Sequence, residues 1–162
     1  MRADPHAAPA SDLQVRVHED AWPDEVEALC RLPQASFFQR PPWFRALQQA
    51  ERRFTPFVLA AYDGAGDLQG AWSFAAVRKW GLLRLYAGPW GTYGGALARH
   101  PAAARALRAR LRQVLETRRL ALARVHDFAR LPSSTSEVEP FWKERVETCQ
   151  VLDLPEDGSV LF

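Results

Sequence analysis

The sequence predicts an α/β fold of the α+β kind, with a mixed and mostly antiparallel sheet flanked by helices. Three observations carry this. The hydrophobic period is helical between residues 22 and 53, strand-like from residue 56, and helical again after Pro101. Three strand-like stretches, PFVLAAYD, LQGAWSFAAV and LLRLYAG, follow one another with short turns between them, which is the pattern of an antiparallel meander. The first two are apolar on both faces, so helices must cover both sides of the sheet.

The elements follow in order. Residues 1–11, rich in Ala and Pro, read as a disordered tail. LQVRV, from Leu13 to Val17, alternates apolar and polar as a strand does. In WPDEVEALCRL, Pro23 suits a first helical position, and Asp24 and Glu25 suit the positive end of a helix. A second helix opens at RPPWFRALQQAERR, where Trp43, Ala46, Leu47 and Ala50 form one stripe expected to be buried. DGAGD and RKWG are the two turns of the meander, the first with two glycines. Pro101 starts a long helix, PAAARALRARLRQVLETRRL. Ala104, Leu107, Leu111 and Leu115 make its inner stripe, and Arg105, Arg112 and Arg119 a wetter one. ALARVHDF reads as a strand, LPSSTSEVEP as a polar loop and VETCQVLDL as a last strand. The folded domain is placed at residues 12–155. Residues 156–162 are a tail or the start of a linker to a second half.

Composition narrows the classes. A chain of 162 residues, 48% of them hydrophobic, suits one domain with a real core. A formal charge of +2 predicts no strong attraction to DNA or to a membrane. Lys79 and Lys143 are the two lysines among many arginines, which marks compositional bias more than a set of phosphate ligands. Cys30 and Cys149 form no CxxC pair, so neither a zinc site nor a disulfide framework is expected. The first residues carry no apolar signal core, and no apolar run reaches the roughly 20 residues that span a bilayer. A cytoplasmic setting is expected.

The stretch GPWGTYGGALARHP, Gly88 to Pro101, is the candidate site. Backbone N–H groups near a helix start can hold an anion, and glycine lets a ligand come close. Glycines also serve ordinary turns, so both roles stay open here. Trp90 and Tyr93 add flat surfaces with polar tips, common in clefts and cores alike. His6, His18, His100 and His126 have no metal-ligand spacing, and no metal is expected. His126 and Asp127, neighbours in a strand, point to opposite faces and form no dyad. Cys149 reads as packed, and Ser133, Ser134 and Ser136 lack a G-x-S-x-G elbow. Arg78 and Lys79 read as a solvated turn.

Three stretches together resemble the first half of the FemAB-like proteins, including the BioF2-like acetyltransferase group, in the GNAT superfamily. SFFQRPPWFRAL is similar to the family's opening, where Phe-x-x-Pro-x-Trp starts the second helix. FVLAAYDGAGDLQGAWSFAAVRKWG with LRLYAGPWGTYGGAL resembles its meander leading to a Tyr-Gly-Gly loop, and VETCQVLDLP the segment that leaves the first half. The likeness covers about residues 13–155, with boundaries good to a few residues.

The resemblance implies a GNAT-like half that takes part in transfer of an acyl or aminoacyl group to an amine. The donor it implies is acetyl-CoA, another acyl-CoA or an aminoacyl-tRNA. The acceptor is an amine-bearing small molecule or a cell-envelope precursor of cell-wall or surface-polysaccharide synthesis. Relatives usually pair two such halves, so a second GNAT-like domain and tRNA are implied partners. Trp43, Trp90, Gly91, Tyr93, Gly94 and Gly95 are the implied substrate- or cofactor-binding residues, with Tyr93 the catalytic candidate and no general base assigned. One departure counts against a donor site in this half. GNAT enzymes seat the coenzyme A pyrophosphate on a Gln/Arg-x-x-Gly-x-Gly/Ala loop between a strand and the long helix, and here Gly91 stands where Gln or Arg belongs. The alternatives are a non-catalytic GNAT-like half that binds substrate or docks with a second one, and a nucleic-acid binder using the arginine-bearing helix.

Overall fold

The computed structural model of the chain describes residues 13–118 and 120–125. It has the expected architecture, a mixed α/β arrangement built on a mostly antiparallel six-stranded sheet with helices on both faces. The strands are β1 (Gln14–Glu19), β2 (Thr55–Tyr62), β3 (Leu68–Lys79), β4 (Leu82–Ala87), β5 (Leu97–Ala98) and β6 (Leu120–Val125). The helices are α1 (Val26–Leu29), α2 (Pro41–Ala50) and α3 (Pro101–Thr117). The sheet runs β1-β2-β3-β4-β6, with β5 also on β3. Every pairing is antiparallel except β4 with β6, which α3 joins as a parallel crossover.

Period-two alternation in β2 and β3 sorts the core into two layers. Val58, Ala71 and Ala75 face α1 and α2, where they pack with Val26, Leu29, Cys30, Phe44 and Leu47. Phe57, Leu59, Gly70, Trp72 and Phe74 face α3. Phe57 and Phe74 meet edge to face at 6.3 Å, and a side chain at Gly70 would stand 3.2 Å from Leu107 of α3. Nearly all of β2 is buried, as a strand covered on both faces must be.

The helices depart from their expected stripes. The residues of α2 that are buried are Pro41, Phe44 and Leu47, while Trp43 is half-buried and Ala46 and Ala50 are exposed. Phe44 has more apolar surface to bury than an alanine, and it sets the rotation of the helix. In α3 the inner stripe is Ala103, Leu107, Leu111 and Val114, one position from that expected at either end. The first helix shrinks to one turn. β5, two residues long, has no period for a sequence pattern to reveal. The strand and loop expected beyond Val125, with His126, Asp127, Ser133, Ser134, Ser136 and Cys149, lie outside the described residues, as do residues 1–11 and 156–162.

The β3–β4 turn is tighter and stranger than its sequence suggests. Lys79 pairs with Leu82, so Trp80 and Gly81 alone make the turn, both left-handed at φ 51° and 75°. That is the geometry of a two-residue hairpin, which favours Asn-Gly over Trp-Gly. Trp80 is 85% exposed, with the Lys79 ammonium 4.3 Å from its ring centre. Arg78 is not merely solvated. It donates to Glu19 at 2.7 Å, Asp20 at 3.1 Å and the Thr55 hydroxyl at 3.2 Å, and Arg118 also pairs with Glu19. These contacts tie the hairpin and the end of α3 to β1.

Candidate functional site

The loop between β4 and α3 is an excursion from a strand. Continuing the β3–β4 ladder past Tyr86, which faces Ala75, would set Trp90 opposite Ala71; Leu97 stands there instead. Seven extra residues are looped out before the chain rejoins β3 as β5. The loop is residues 88–96 of the Gly88–Pro101 stretch that the sequence singles out, whose remainder holds β5 and the start of α3.

Its start turns sharply. Gly88 has φ 88°, and a β-carbon there would stand 2.1 Å from the Thr92 carbonyl oxygen, so no other residue fits. Pro89–Gly91 forms a short 3-10 turn, and the Thr92 hydroxyl donates to the Pro89 carbonyl at 2.8 Å. Within that turn Trp90 takes φ 60°, a left-handed backbone that bulky residues rarely adopt. The residue is 63% exposed, and its ring centre lies 6.0 Å from that of Phe54.

The end of the loop folds onto its beginning. Gly94 and Gly95 are buried. A β-carbon on Gly94 would sit 2.5 Å from the Ala87 carbonyl carbon and 2.5 Å from the Gly88 nitrogen. The Trp72 indole N–H donates to the Gly94 carbonyl at 2.8 Å, and the Gln39 amide donates to the Gly95 carbonyl at 2.7 Å. Gln39 also accepts from the Ser36 N–H at 2.7 Å, so one side chain ties the turn before α2 to the loop.

Aromatic rings cover the outer side. Phe38 lies 5.2 Å from Trp43, 5.9 Å from Phe37 and 6.4 Å from Tyr93, and Phe37 is 6.0 Å from Trp43. Phe37 is 57% exposed. Trp43 and Tyr93, on separate elements, are thus brought together through Phe38. Trp90 belongs to a neighbouring group with Phe54 and Tyr86. Beyond β5, His100 caps α3. Its Nδ1 accepts the Ala103 N–H at 3.3 Å, and its carbonyl faces the same N–H at 3.1 Å. Pro101 has no N–H to offer.

Of the expected site residues, the structure gathers Trp43 and Tyr93 on the aromatic face, exposes Trp90 beside it, and folds Gly94 and Gly95 inside. Gly91 closes the 3-10 turn. Four further residues shape the site: Gln39 and Trp72, which lie outside the candidate stretch, and Gly88 and His100, which lie inside it with no binding role assigned. For His100 a signal existed, since it precedes a proline suited to the first helical position. Gln39 and Trp72 act across 56 and 22 residues of chain, which no local pattern reports.

Elsewhere, the Tyr62 phenol is pushed up to about 12, first by burial and then by the Glu25 carboxylate that accepts its hydrogen bond at 2.9 Å. Burial pushes the Cys30 thiol up too, away from nucleophile chemistry. Among the described residues no group of three His, Cys, Asp or Glu side chains is placed to hold a metal, and no helix is long and apolar enough to cross a membrane.

No family model and no curated protein matches the chain. Among solved structures it is similar to a protein of Pyrococcus furiosus described as an acetyl transferase, at 12% identity and TM-score 0.49 over 88% of this chain and 99% of that one. It is similar to a Trypanosoma brucei acetyltransferase at 16% identity and TM-score 0.49, over 88% and 100%. A ribosomal-protein-alanine N-acetyltransferase from Brucella melitensis biovar Abortus 2308 aligns at 18% identity and TM-score 0.45, over 88% and 99%.

Proposed function

We propose that the chain is a GNAT-like, FemAB-type N-acyltransferase domain that serves transfer of an acyl or aminoacyl group to an amine. One observation carries this reading. A three-stranded meander runs into a glycine-bearing loop and then a long helix, the order that the FemAB and GNAT resemblance implies. In such a transfer the amine lone pair attacks the acyl carbon. The new N–C bond forms, the carrier leaves with its bonding pair, and the amine gives up a proton. Much of the rate comes from holding the two groups together.

The acceptor belongs on the aromatic face. Trp43 and Tyr93 give flat, partly exposed surfaces and Trp90 an exposed ring beside them, suited to a ring or apolar stem carrying an amine. The acceptor class is an amine-bearing small molecule or a cell-envelope precursor, in the cytoplasm, and Tyr93 is the side chain nearest in kind to a catalytic group. The donor is an acyl-CoA or an aminoacyl-tRNA. The Gly94–Gly95 segment does not suit the pyrophosphate of coenzyme A, because the loop's own backbone fills the space beside Gly94.

The test is turnover of the whole protein, with acyl-CoA and aminoacyl-tRNA each offered against a panel of amines. Trp90→Ala should lower kcat/KM by about two- to tenfold, the worth of one ring contact, and Tyr93→Phe, which keeps the ring and deletes the hydroxyl, by about two- to tenfold, the worth of one hydrogen bond. Turnover that neither substitution changes removes the aromatic face from the reaction. A second reading is favoured by the folded-in loop: a non-catalytic GNAT-like half that binds substrate or docks with a second such domain. Binding of an amine substrate without turnover on any donor would select it.

A further inference from the structure

We infer that the β4–α3 junction is a closed main-chain lock and that no coenzyme A pyrophosphate is held there. The inference stands on the loop's geometry and not on the acyltransferase reading.

A phosphate nest needs consecutive backbone N–H groups that converge on one point. Here adjacent peptide units are held from opposite faces of the sheet. Trp72 projects from β3 on the α3 side, alternating with Ala71 and Ala75, which face α1 and α2. It fixes the Gly94 carbonyl. Gln39 comes from the turn before α2 and fixes the Gly95 carbonyl. In a trans peptide the next N–H points opposite to the carbonyl. The Gly95 N–H is therefore turned toward one face and the Ala96 N–H toward the other, and they diverge.

Steric filling agrees. The space beside the Gly94 α-carbon, where a phosphate oxygen would approach, holds the backbone of Ala87 and Gly88. The glycine there admits the chain's own earlier turn. The start of α3 agrees as well. Pro101 offers no donor, and the Ala103 N–H is met by the carbonyl and Nδ1 of His100. Trp72 and Gln39 belong to different layers, so the lock opens only if both side chains let go.

The experiment follows backbone amides of the 162-residue chain by NMR during titration with acetyl-CoA to millimolar concentration. The expected result is no saturable shift at residues 91–96 or 102–104. Saturable shifts at Gly94, Gly95 and Ala102 together would overturn the inference. A second arm reads the lock itself: Gln39→Ala should lower Tm by several degrees and speed amide exchange at Gly95 and Ala96. Unchanged Tm and exchange in that variant would overturn it equally. Turnover with silent loop amides leaves the acyltransferase reading and the lock both standing, whereas loop shifts remove the lock alone.

Discussion

Two glycine-bearing loops of this chain use the same residue for opposite reasons. The Asp63–Asp67 turn between β2 and β3 opens into solvent: a β-carbon at Gly64 or Gly66 would meet nothing within 4 Å. Gly66 is there for its φ of 88°. The loop after β4 also has a glycine at φ 88°, Gly88, but its β-carbon position is occupied by Thr92, and that of Gly94 by Ala87 and Gly88. In the first loop glycine supplies a dihedral angle; in the second it supplies room for backbone to touch backbone. A run of glycines in a sequence does not say which, and the second kind imitates the first signature of a ligand cradle.

The sharpest way to break this contrast is Gly94→Ala. Gly94 carries no left-handed angle, so any damage is steric, from a methyl group placed 2.5 Å from two backbone atoms. A clash with backbone cannot be relieved by a rotamer change. The loss should be on the order of 3 kcal/mol or more, at or above the upper end of the usual range for one substitution. Urea denaturation of the variant against the parent measures it. A loss below about 1 kcal/mol would mean the loop has room to spare, and the contrast with Gly66 would collapse.

Next is Trp72→Phe, which keeps most of the ring and deletes the indole N–H that donates to the Gly94 carbonyl at 2.8 Å. A buried carbonyl left without its donor costs about 1–3 kcal/mol. The loss should appear with faster amide exchange in the loop, and not in the Asp63 turn. Gly66→Ala should cost about 1 kcal/mol, the price of a left-handed alanine with no clash. Gly64→Ala, with an open β-carbon position and no left-handed angle, is its control and should be neutral or slightly stabilising. A Gly66→Ala loss equal to that of Gly94→Ala would show that crowding at Gly94 costs no more than a left-handed angle in an open turn, and the contrast between the loops would fail.

The contrast also explains what was legible in the sequence. The meander, the long helix and the two-sided burial of β2 and β3 were readable, because periods of 2.0 and 3.6 express packing along one element. The rotation of α2 was not, since Trp43 and Phe44 are both large and the sheet chooses between them. The loop is legible between β4 and α3, but nothing in the spacing of Trp43 and Tyr93 along the chain says that Phe38 brings them together. Its closure was hidden. It depends on Gln39 reaching Gly95 and on Trp72 reaching Gly94, contacts between residues far apart along the chain. β5 was hidden for a related reason, being two residues defined wholly by their partner strand.

The gentlest probe is acid, because the loops differ in what holds them. The Asp63 carboxylate accepts from the N–H groups of Ala65 at 3.0 Å and Asp67 at 2.9 Å, and from the Gln69 amide at 2.6 Å. The Asp67 N–H is the main influence holding this carboxyl below its ordinary value, and Gln69 adds to it. A depressed carboxyl stabilises the fold fully above its unfolded value and loses that contribution as pH falls through the folded one. The window therefore lies below the ordinary 3.8 of an aspartate. The bonds to the Gly94 and Gly95 carbonyls of the β4–α3 loop come from an indole and an amide, neither of which titrates there. Lowering the pH through this range should speed amide exchange, after correction for its intrinsic pH dependence, at Ala65 and Asp67 before it does so at Gly95 and Ala96. Asp63→Asn, which keeps one acceptor oxygen and removes the charge, should abolish the acid-dependent part at the turn alone. If both loops loosen together in acid and the Asn variant changes neither, a shared unfolding step governs them, and the local distinction between an open turn held by a carboxylate and a closed one held by neutral donors fails.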